Sequence, residues 1–424
     1  MTPRMLDAVI IGNGPAGSGL LSCILKQSAS RPDRPLKLCS IEACSTGKAG
    51  RLSGYNIPSD TRAEKFLTCL EGLPPSIQTD AHLAKLSQEL RDYKSKAAPL
   101  PLVGEFYRQL GRLICDEMVL GGQLDVKTDT QALWAKRHRG HWELAIRSDG
   151  RDNIVKSKKL VLACGATESE ERIMSFLKAY DLGPSDLDQV ELSSSLLKAK
   201  ANDAIFRHLR TLENPKVVII GGSHSAISSA GKLLSQDINF GHNAISIFHR
   251  RPMQVTFDSP EDAVKHGVTD FDETDICPKT GRVFALKGFR LDSRDLFMAI
   301  KGYGGQPVEK RVELKPLENI PASDIKQDLL AADLVICALG YSPNYIPLYQ
   351  ADKAEAIALN APHFVNQNSQ LLDSQGRIID ACYALGLASN YNLAGRFGEP
   401  SFKGQANGLV LWYKEIGMEL ASSL

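Results

Sequence analysis

The residues best suited to chemistry lie in two glycine-rich turns. The first sits in Asp7-Ala8-Val9-Ile10-Ile11-Gly12-Asn13-Gly14-Pro15-Ala16-Gly17. Its branched apolar run reads as a buried strand, and the residues beyond Gly17 read as a helix. In Gly12-x-Gly14-x-x-Gly17 the first glycine permits a tight bend and the second lets the backbone approach a pyrophosphate. The third allows helix and strand to pack closely. A helix opening near Pro15 and Ala16 offers unpaired N–H groups and a partial positive charge to phosphates. A second strand over 36–41 ends at Glu42, whose carboxylate can accept hydrogen bonds from ribose hydroxyls. Gly12, Gly14, Pro15, Ala16, Gly17 and Glu42 are thus candidate dinucleotide contacts.

The pattern recurs about 200 residues later in Lys216-Val217-Val218-Ile219-Ile220-Gly221-Gly222-Ser223-His224-Ser225-Ala226. Here Gly221-x-Ser223-x-x-Ala226 is a relaxed version of the first turn, and Gly221, Gly222, Ser223, His224, Ser225 and Ala226 are its candidate contacts. The next strand, 244–248, ends in His249-Arg250-Arg251 and not in an acid. A carboxylate there would repel a 2′-phosphate, whereas arginine can hold one by a charge-assisted bond. Arg250 and Arg251 therefore favour NADPH over NADH; the alternative is that they only solvate a strand end.

Other strands must carry these turns. Alternation over 134–146 and 154–158 reads as a small antiparallel meander. It runs into a buried strand stopped by Gly165-Ala166, and similar strands stop at Gly340-Tyr341 and Gly386. The chain has 424 residues, 43% hydrophobic and 23% charged, with 50 basic and 49 acidic side chains. That length suggests two or three domains, and the ordinary composition excludes wholesale disorder, collagen and coiled coil. A formal net charge of +1 gives no footprint for nucleic acid. No apolar run reaches the roughly 18–20 residues of a membrane helix. An odd count of nine cysteines, with no CxxC and no signal-peptide core, points to reduced thiols and a cytoplasmic protein. His138 and His141 flank a hairpin turn without an acid or thiol cluster to complete a metal site.

Together these features resemble the two-dinucleotide-binding-domain flavoproteins, which bind FAD at the first turn and NAD(P)H at the second. The resemblance implies an α/β fold of two Rossmann-like domains. An NADPH domain (215–338) would be inserted into a discontinuous FAD domain (1–170 and 339–424) that carries the meander. A helical insertion would occupy 51–118 and a polar, helix-like linker 171–214. Gly165, Ala166, Gly340, Tyr341 and Gly386 would then lie along the cofactor.

Within that family the sequence leans toward one branch. Disulfide reductases carry a redox cysteine pair beyond the ribose acid, but Cys39 and Cys44 straddle Glu42 and would sit at the adenosine end. The segment around Cys337-Ala338-Leu339-Gly340-Tyr341 resembles one found in flavin-dependent monooxygenases, with Leu339 in place of the usual threonine. Tyr55-Asn56-Ile57-Pro58-Ser59-Asp60-Thr61 resembles the monooxygenase segment that approaches the flavin, with Asp60 where that family has asparagine. This makes Asn56 and Asp60 the candidate catalytic residues; the competing reading is that Asp60 or Thr61 caps a helix beginning near Arg62. The loop around Arg396, Lys403 and Gln405 would lie over the flavin's pyrimidine end. The implied activity is an NADPH-dependent, N-hydroxylating type of monooxygenase. It would insert one oxygen atom from molecular oxygen into a small-molecule substrate through a C4a-peroxyflavin, and a homodimer is one assembly open to it. An NADPH:acceptor oxidoreductase and a non-catalytic FAD-fold binding protein stay open as rivals.

Overall fold

A computed structural model describes residues 5–28, 35–44, 50–201, 203–361, 363–393, 396, 398–404 and 408–424. Two sheets organise the chain. The first has nine strands, and its parallel core runs Leu124–Lys127, Leu38–Ile41, Leu6–Ile11, Arg151–Leu162, Ile378–Ala384. Ala8, Val9 and Ile10 have no exposed surface, so the central strand is covered on both faces. Such a strand reads as a continuous apolar run and not as an alternation. The strand Arg151–Leu162 does two jobs. Its first half pairs antiparallel with His141–Ser148, extending the meander from Thr130–His138, and its second half pairs parallel with Leu6–Ile11.

Helix Pro15–Ser28 packs against Leu100–Leu120 and against the C-terminal helices Leu409–Tyr413 and Glu415–Ser423. Gly19 makes the last approach possible, since a Cβ there would meet the Trp412 carbonyl and the Tyr413 ring at 3.0 Å. The 51–118 segment is helical in its main parts, with Ala81–Asp92 burying Leu83, Leu86 and Leu90 at helical spacing. Asp80 caps that helix by accepting the Leu83 N–H at 2.8 Å.

The second sheet is wholly parallel, in the order Val190–Leu192, Leu334–Cys337, Val217–Ile220, Ile245–His249, Val312–Pro316. Its edge strand corrects the linker expected over 171–214. Val190, Glu191 and Leu192 pair with Val335, Ile336 and Cys337, and helix Glu170–Lys178 buries Ile173 and Leu177 against this sheet. Leu196, Phe206 and Leu209 of the same segment are buried as well, in the core on which the sheet strands Val217–Ile220 and Ile245–His249 also pack.

Chain crosses between the two sheets at one ribbon, in which Ala166–Glu168 pairs antiparallel with Tyr341–Pro343. The Glu168 carboxylate accepts hydrogen bonds from Ser193 Oγ at 2.5 Å and the Ser194 N–H at 3.0 Å. Among the described residues, no helix is long and apolar enough to cross a membrane.

Candidate active site

The first glycine turn lies at the C-terminal end of Leu6–Ile11, where Ala163 crosses beside it. Gly12 has φ +98°, and a Cβ there would collide with the Ala163 carbonyl. Gly17 is equally constrained, because a Cβ would strike the Gly12 carbonyl. Gly14 differs. Among the described residues a Cβ there would meet the Gly50 backbone at an ordinary 3.5 Å, so they do not themselves require glycine. A glycine at this place beside a helix N-terminus lets a pyrophosphate approach the backbone. Pro15 and Ala16 open that helix, and Gly386 (φ +70°) tucks against it, 2.5 Å from the Ala16 Cβ were a side chain present. Glu42 follows the second strand and accepts the Asn13 N–H at 2.7 Å and the Cys44 N–H at 3.4 Å. A two-oxygen carboxylate keeps further lone pairs for ribose hydroxyls. The residues present therefore fit an adenine dinucleotide.

The second turn repeats this closure. Gly221 has φ +138°, and a Cβ would collide with the Ala338 carbonyl, which passes the turn as Ala163 passes the first. Gly222 packs on the next strand's end, where an added Cβ would lie 2.9 Å from the His249 Cβ. Ser223 precedes helix His224–Leu234 but its hydroxyl makes no capping bond, while Ser225 and Ala226 lie in the first turn. His249 Nδ1 lies 3.0 Å from the Arg251 carbonyl and shapes the turn that carries Arg250 and Arg251, both exposed. Two exposed cations beside a helix N-terminus fit a phosphate-bearing ribose.

Gly165 (φ +72°) and Gly340 (φ +84°) flank the crossing ribbon, which aligns Pro343 with Ala166 and Tyr341 with Glu168. The Tyr341 hydroxyl lies 2.8 Å from that of Tyr55, and burial raises the pKa of both phenols. Lys198 Nζ stands 5.0 Å over the Tyr55 ring. Asn56 is fastened to the second unit. Its N–H donates to the Leu197 carbonyl at 2.9 Å, its amide to Ala199 O at 3.4 Å, and its carbonyl accepts from Lys232 Nζ at 2.9 Å.

Asp60 lies in strand Pro58–Arg62, paired with Ala97–Pro99. It caps no helix; Arg62 holds the cap position of Ala63–Phe66 and makes no side-chain capping bond. Asp60 instead accepts from Arg290 Nη2 at 3.0 Å and Thr61 Oγ1 at 3.2 Å, with His224 Nε2 3.8 Å away. Burial alone would raise its pKa, but Arg290 and then His224 hold the carboxyl below the usual range. Burial also keeps His224 below its ordinary pKa, against the pull of Asp60 and with Arg290 adding to it. His224 packs edge-on to Phe289 at 5.2 Å. The arrangement joins the 55–61 loop, the second glycine turn and the 252–325 insertion in one cluster. Arg290 had no signal in the sequence, because its partner is 230 residues away.

Cys39 has no exposed surface, and burial, with Asp125 nearby, pushes its thiol up to about 12. Cys44 is exposed. His138 and His141 stack at 5.3 Å, both facing Glu143, which also pairs with Lys156 Nζ at 2.7 Å. Among the described residues no group of three or more His, Cys, Asp or Glu side chains could hold a metal ion. In the glycine-rich loop, Arg396 pairs with Glu419 and donates to Tyr391 OH at 3.2 Å, while Lys403 Nζ donates to Pro400 O at 3.0 Å. Gln405 lies outside the described residues.

No family model matches the chain. It is 24% identical over 431 residues to the CMP-5′-(3-aminopropyl)phosphonate hydroxylase of Streptomyces rubellomurinus, covering 98% of this chain and 96% of that protein. The ornithine N-hydroxylase of Kutzneria sp. 744, solved with reduced FAD, NADP+ and L-ornithine, superposes with a TM-score of 0.58 at 14% identity, covering 99% of both chains. The bacillithiol disulfide reductase of Staphylococcus aureus superposes with a TM-score of 0.52 at 15% identity, covering 99% of this chain and 98% of its own. A shared fold does not select between these chemistries. What the comparisons establish is that the chain has the two-dinucleotide-binding fold on which N-hydroxylases and disulfide reductases are both built.

Proposed function

We propose that this chain is an FAD- and NADPH-dependent monooxygenase that hydroxylates an amine of a small-molecule substrate. The observation that carries the reading is the pair of glycine turns. Each is closed by a crossing carbonyl and opens on a helix N-terminus, and only the second has arginines at the ribose position. FAD would be held by Gly12, Gly14, Pro15, Ala16, Gly17 and Glu42, with Gly165, Ala166, Gly340, Tyr341 and Gly386 along it. NADPH would be held by Gly221, Gly222, Ser223, His224, Ser225 and Ala226, with Arg250 and Arg251 on the 2′-phosphate. In domain terms the FAD unit is 1–170 with 339–424, and the NADPH unit is 215–338 enlarged by the strand Val190–Leu192 and its flanking helices.

Bound FAD supplies the redox chemistry, accepting a hydride from NADPH and activating oxygen for transfer. The chain's own residues bind, orient and exclude water. Asn56 and Asp60 act from the 55–61 segment, Asp60 from its strand Pro58–Arg62. Because Arg290 keeps Asp60 ionised, Asp60 serves as an acceptor and a local negative charge, not as a hydrogen-bond donor. Its charge is met by Arg290, so the amine of the substrate is read from the hydroxylase relative, which acts on an aminopropyl compound. A reductase reading is disfavoured because Cys39 is buried in a strand with a raised pKa, and the thiolate is the reactive form.

The test starts with the absorption spectrum of the purified protein, followed by NADPH addition under nitrogen and under air with candidate amines. The expected result is a flavin spectrum, bleaching by NADPH, and label from 18O2 in the product. Product without label, or NADPH oxidation that only reduces an acceptor, would replace the monooxygenase by the reductase reading. A protein that takes up no flavin would leave the binding-module reading.

A further inference from the structure

Among the described residues the most deeply buried carboxylate lies outside both cradles. Glu399 has no exposed surface. It belongs to the C-terminal loop of the first unit, yet its hydrogen bonds go to the second. The Leu286 N–H donates to its two oxygens at 2.9 and 3.1 Å, and the Lys287 N–H donates to one of them at 2.9 Å. Beside this clamp, Lys287 Nζ and Ser401 Oγ converge on Asp275 Oδ1 at 2.7 and 2.5 Å, and the Ser401 N–H donates to the Thr274 carbonyl at 2.8 Å. Gly398 (φ +83°) lies flat against Leu286, where a side chain would collide with it. Gly398, Glu399 and Ser401 of one unit are thus keyed into 274–287 of the other.

This clamp does not act alone. Asn56 and the Asp60–Arg290 ion pair also tie the two units together. A hinge motion would have to break these contacts as well as the clamp. Breaking the Glu399 side strips a buried carboxylate of its donors and leaves two backbone N–H groups unpaired, which is costly. We propose that Glu399 is a positioning residue that holds the 252–325 insertion on the 398–404 loop. The two cradles then keep one mutual arrangement throughout the reaction, without a swing of one unit against the other. The part concerning turnover rests on the FAD- and NADPH-dependent reading; the arrangement itself does not.

The test uses the full chain with Leu286→Cys and Gly398→Cys in a Cys44→Ser background. A Cβ at 398 stands 3.5 Å from the Leu286 Cβ, within disulfide range. Oxidised glutathione should close the bond in the resting protein, read by mass spectrometry with no cofactor needed. The locked and reduced forms of this variant should then oxidise NADPH at rates within about twofold of each other. Glu399→Ala should slow flavin reduction by NADPH about tenfold while reduction by dithionite is unchanged, and Glu399→Gln, which keeps an acceptor, should recover part of the loss. The idea is overturned if the bond does not form, if the locked form stops and a reductant revives it, or if Glu399→Ala is reduced by NADPH at the parent rate. Should the protein bind no flavin, the function reading fails on its spectrum, and the bond yield alone decides whether the units are locked.

Discussion

The two glycine turns meet the same geometric demand with different residues. Both begin with a glycine at positive φ facing a crossing carbonyl, Ala163 at Gly12 and Ala338 at Gly221. After that they diverge. Gly17 lies so close to the Gly12 carbonyl that no Cβ fits, whereas the second turn accommodates Ala226 with its side chain fully buried. A Cβ on Gly14 would make only ordinary contact with Gly50 among the described residues, while its counterpart Ser223 makes no side-chain capping bond. The difference teaches that only the first glycine of this motif is demanded by the fold at both sites. The others report how closely helix, strand and ligand approach each other.

The largest expected effect tests that division directly. Gly12→Ala and Gly221→Ala should each cost about 3 kcal/mol or more in denaturant unfolding, since each adds a collision to an unfavourable φ. Gly14→Val should leave the apo fold near parental stability but remove the FAD response. In the parent, FAD at 100 times its dissociation constant should add about 2.7 kcal/mol. Equal losses at Gly12 and Gly14 would erase the distinction between fold-demanded and ligand-demanded glycines.

Next in size is the contrast between Glu42 and the arginine pair. A hydrogen bond to a charged group contributes about 1.5–3 kcal/mol, or roughly 10- to 100-fold in binding. Arg250→Ala or Arg251→Ala should weaken NADPH by up to that factor, less as salt is added, and barely alter NADH. The ratio of kcat/KM for the two nicotinamides, in parent and variants, decides it.

A smaller effect separates the turns by pH, because only the second carries a titrating group. His224 is held below its usual pKa, so its neutral form favours the fold. Stability should be intact above the unfolded value of about 6.5 and decline as pH falls through it toward the lowered folded value. Asp60 is also lowered, so its contribution has the same sign but starts to be lost only near its unfolded value of about 3.9. His224→Gln should flatten the upper part of the decline in melting temperature and leave the lower part.

The smallest effect is expected from the cysteines beside the first turn. Cys39→Ala with Cys44→Ser should change NADPH oxidation by no more than about threefold, as a buried, high-pKa thiol is a small hydrophobe. Loss of turnover in a folded, flavin-loaded double variant would revive the reductase.

The turns and their strands were legible because their cause is local: branched apolar residues, then glycine, within a dozen positions. Helix Ala81–Asp92, inside the segment read as a helical insertion, rests on an equally local cause, the spacing of Leu83, Leu86 and Leu90. The edge strand Val190–Leu192 was not, since three residues with Glu191 among them show no pattern of their own. Glu399 and Arg290 were invisible for a different reason. Their partners lie 113 and 230 residues away, and nothing in a glycine-rich loop or a helix start announces a partner so distant. Asp60 was legible as a residue of interest from its motif, but its pairing came only from the fold.

The ribbon that joins the two sheets also bears on the order of folding. The strands Arg151–Leu162 and Ile378–Ala384 pair in register, Leu160 with Cys382, although the whole second unit lies between them. Closing an unstructured loop of about 220 residues before that pairing carries a substantial entropic cost. Once the second unit has folded, its two ends are hydrogen-bonded neighbours, with Pro343 beside Ala166. The long loop has then become a short one. A nascent chain that completes the second sheet first therefore meets a much smaller conformational search when the last strand of the first sheet emerges.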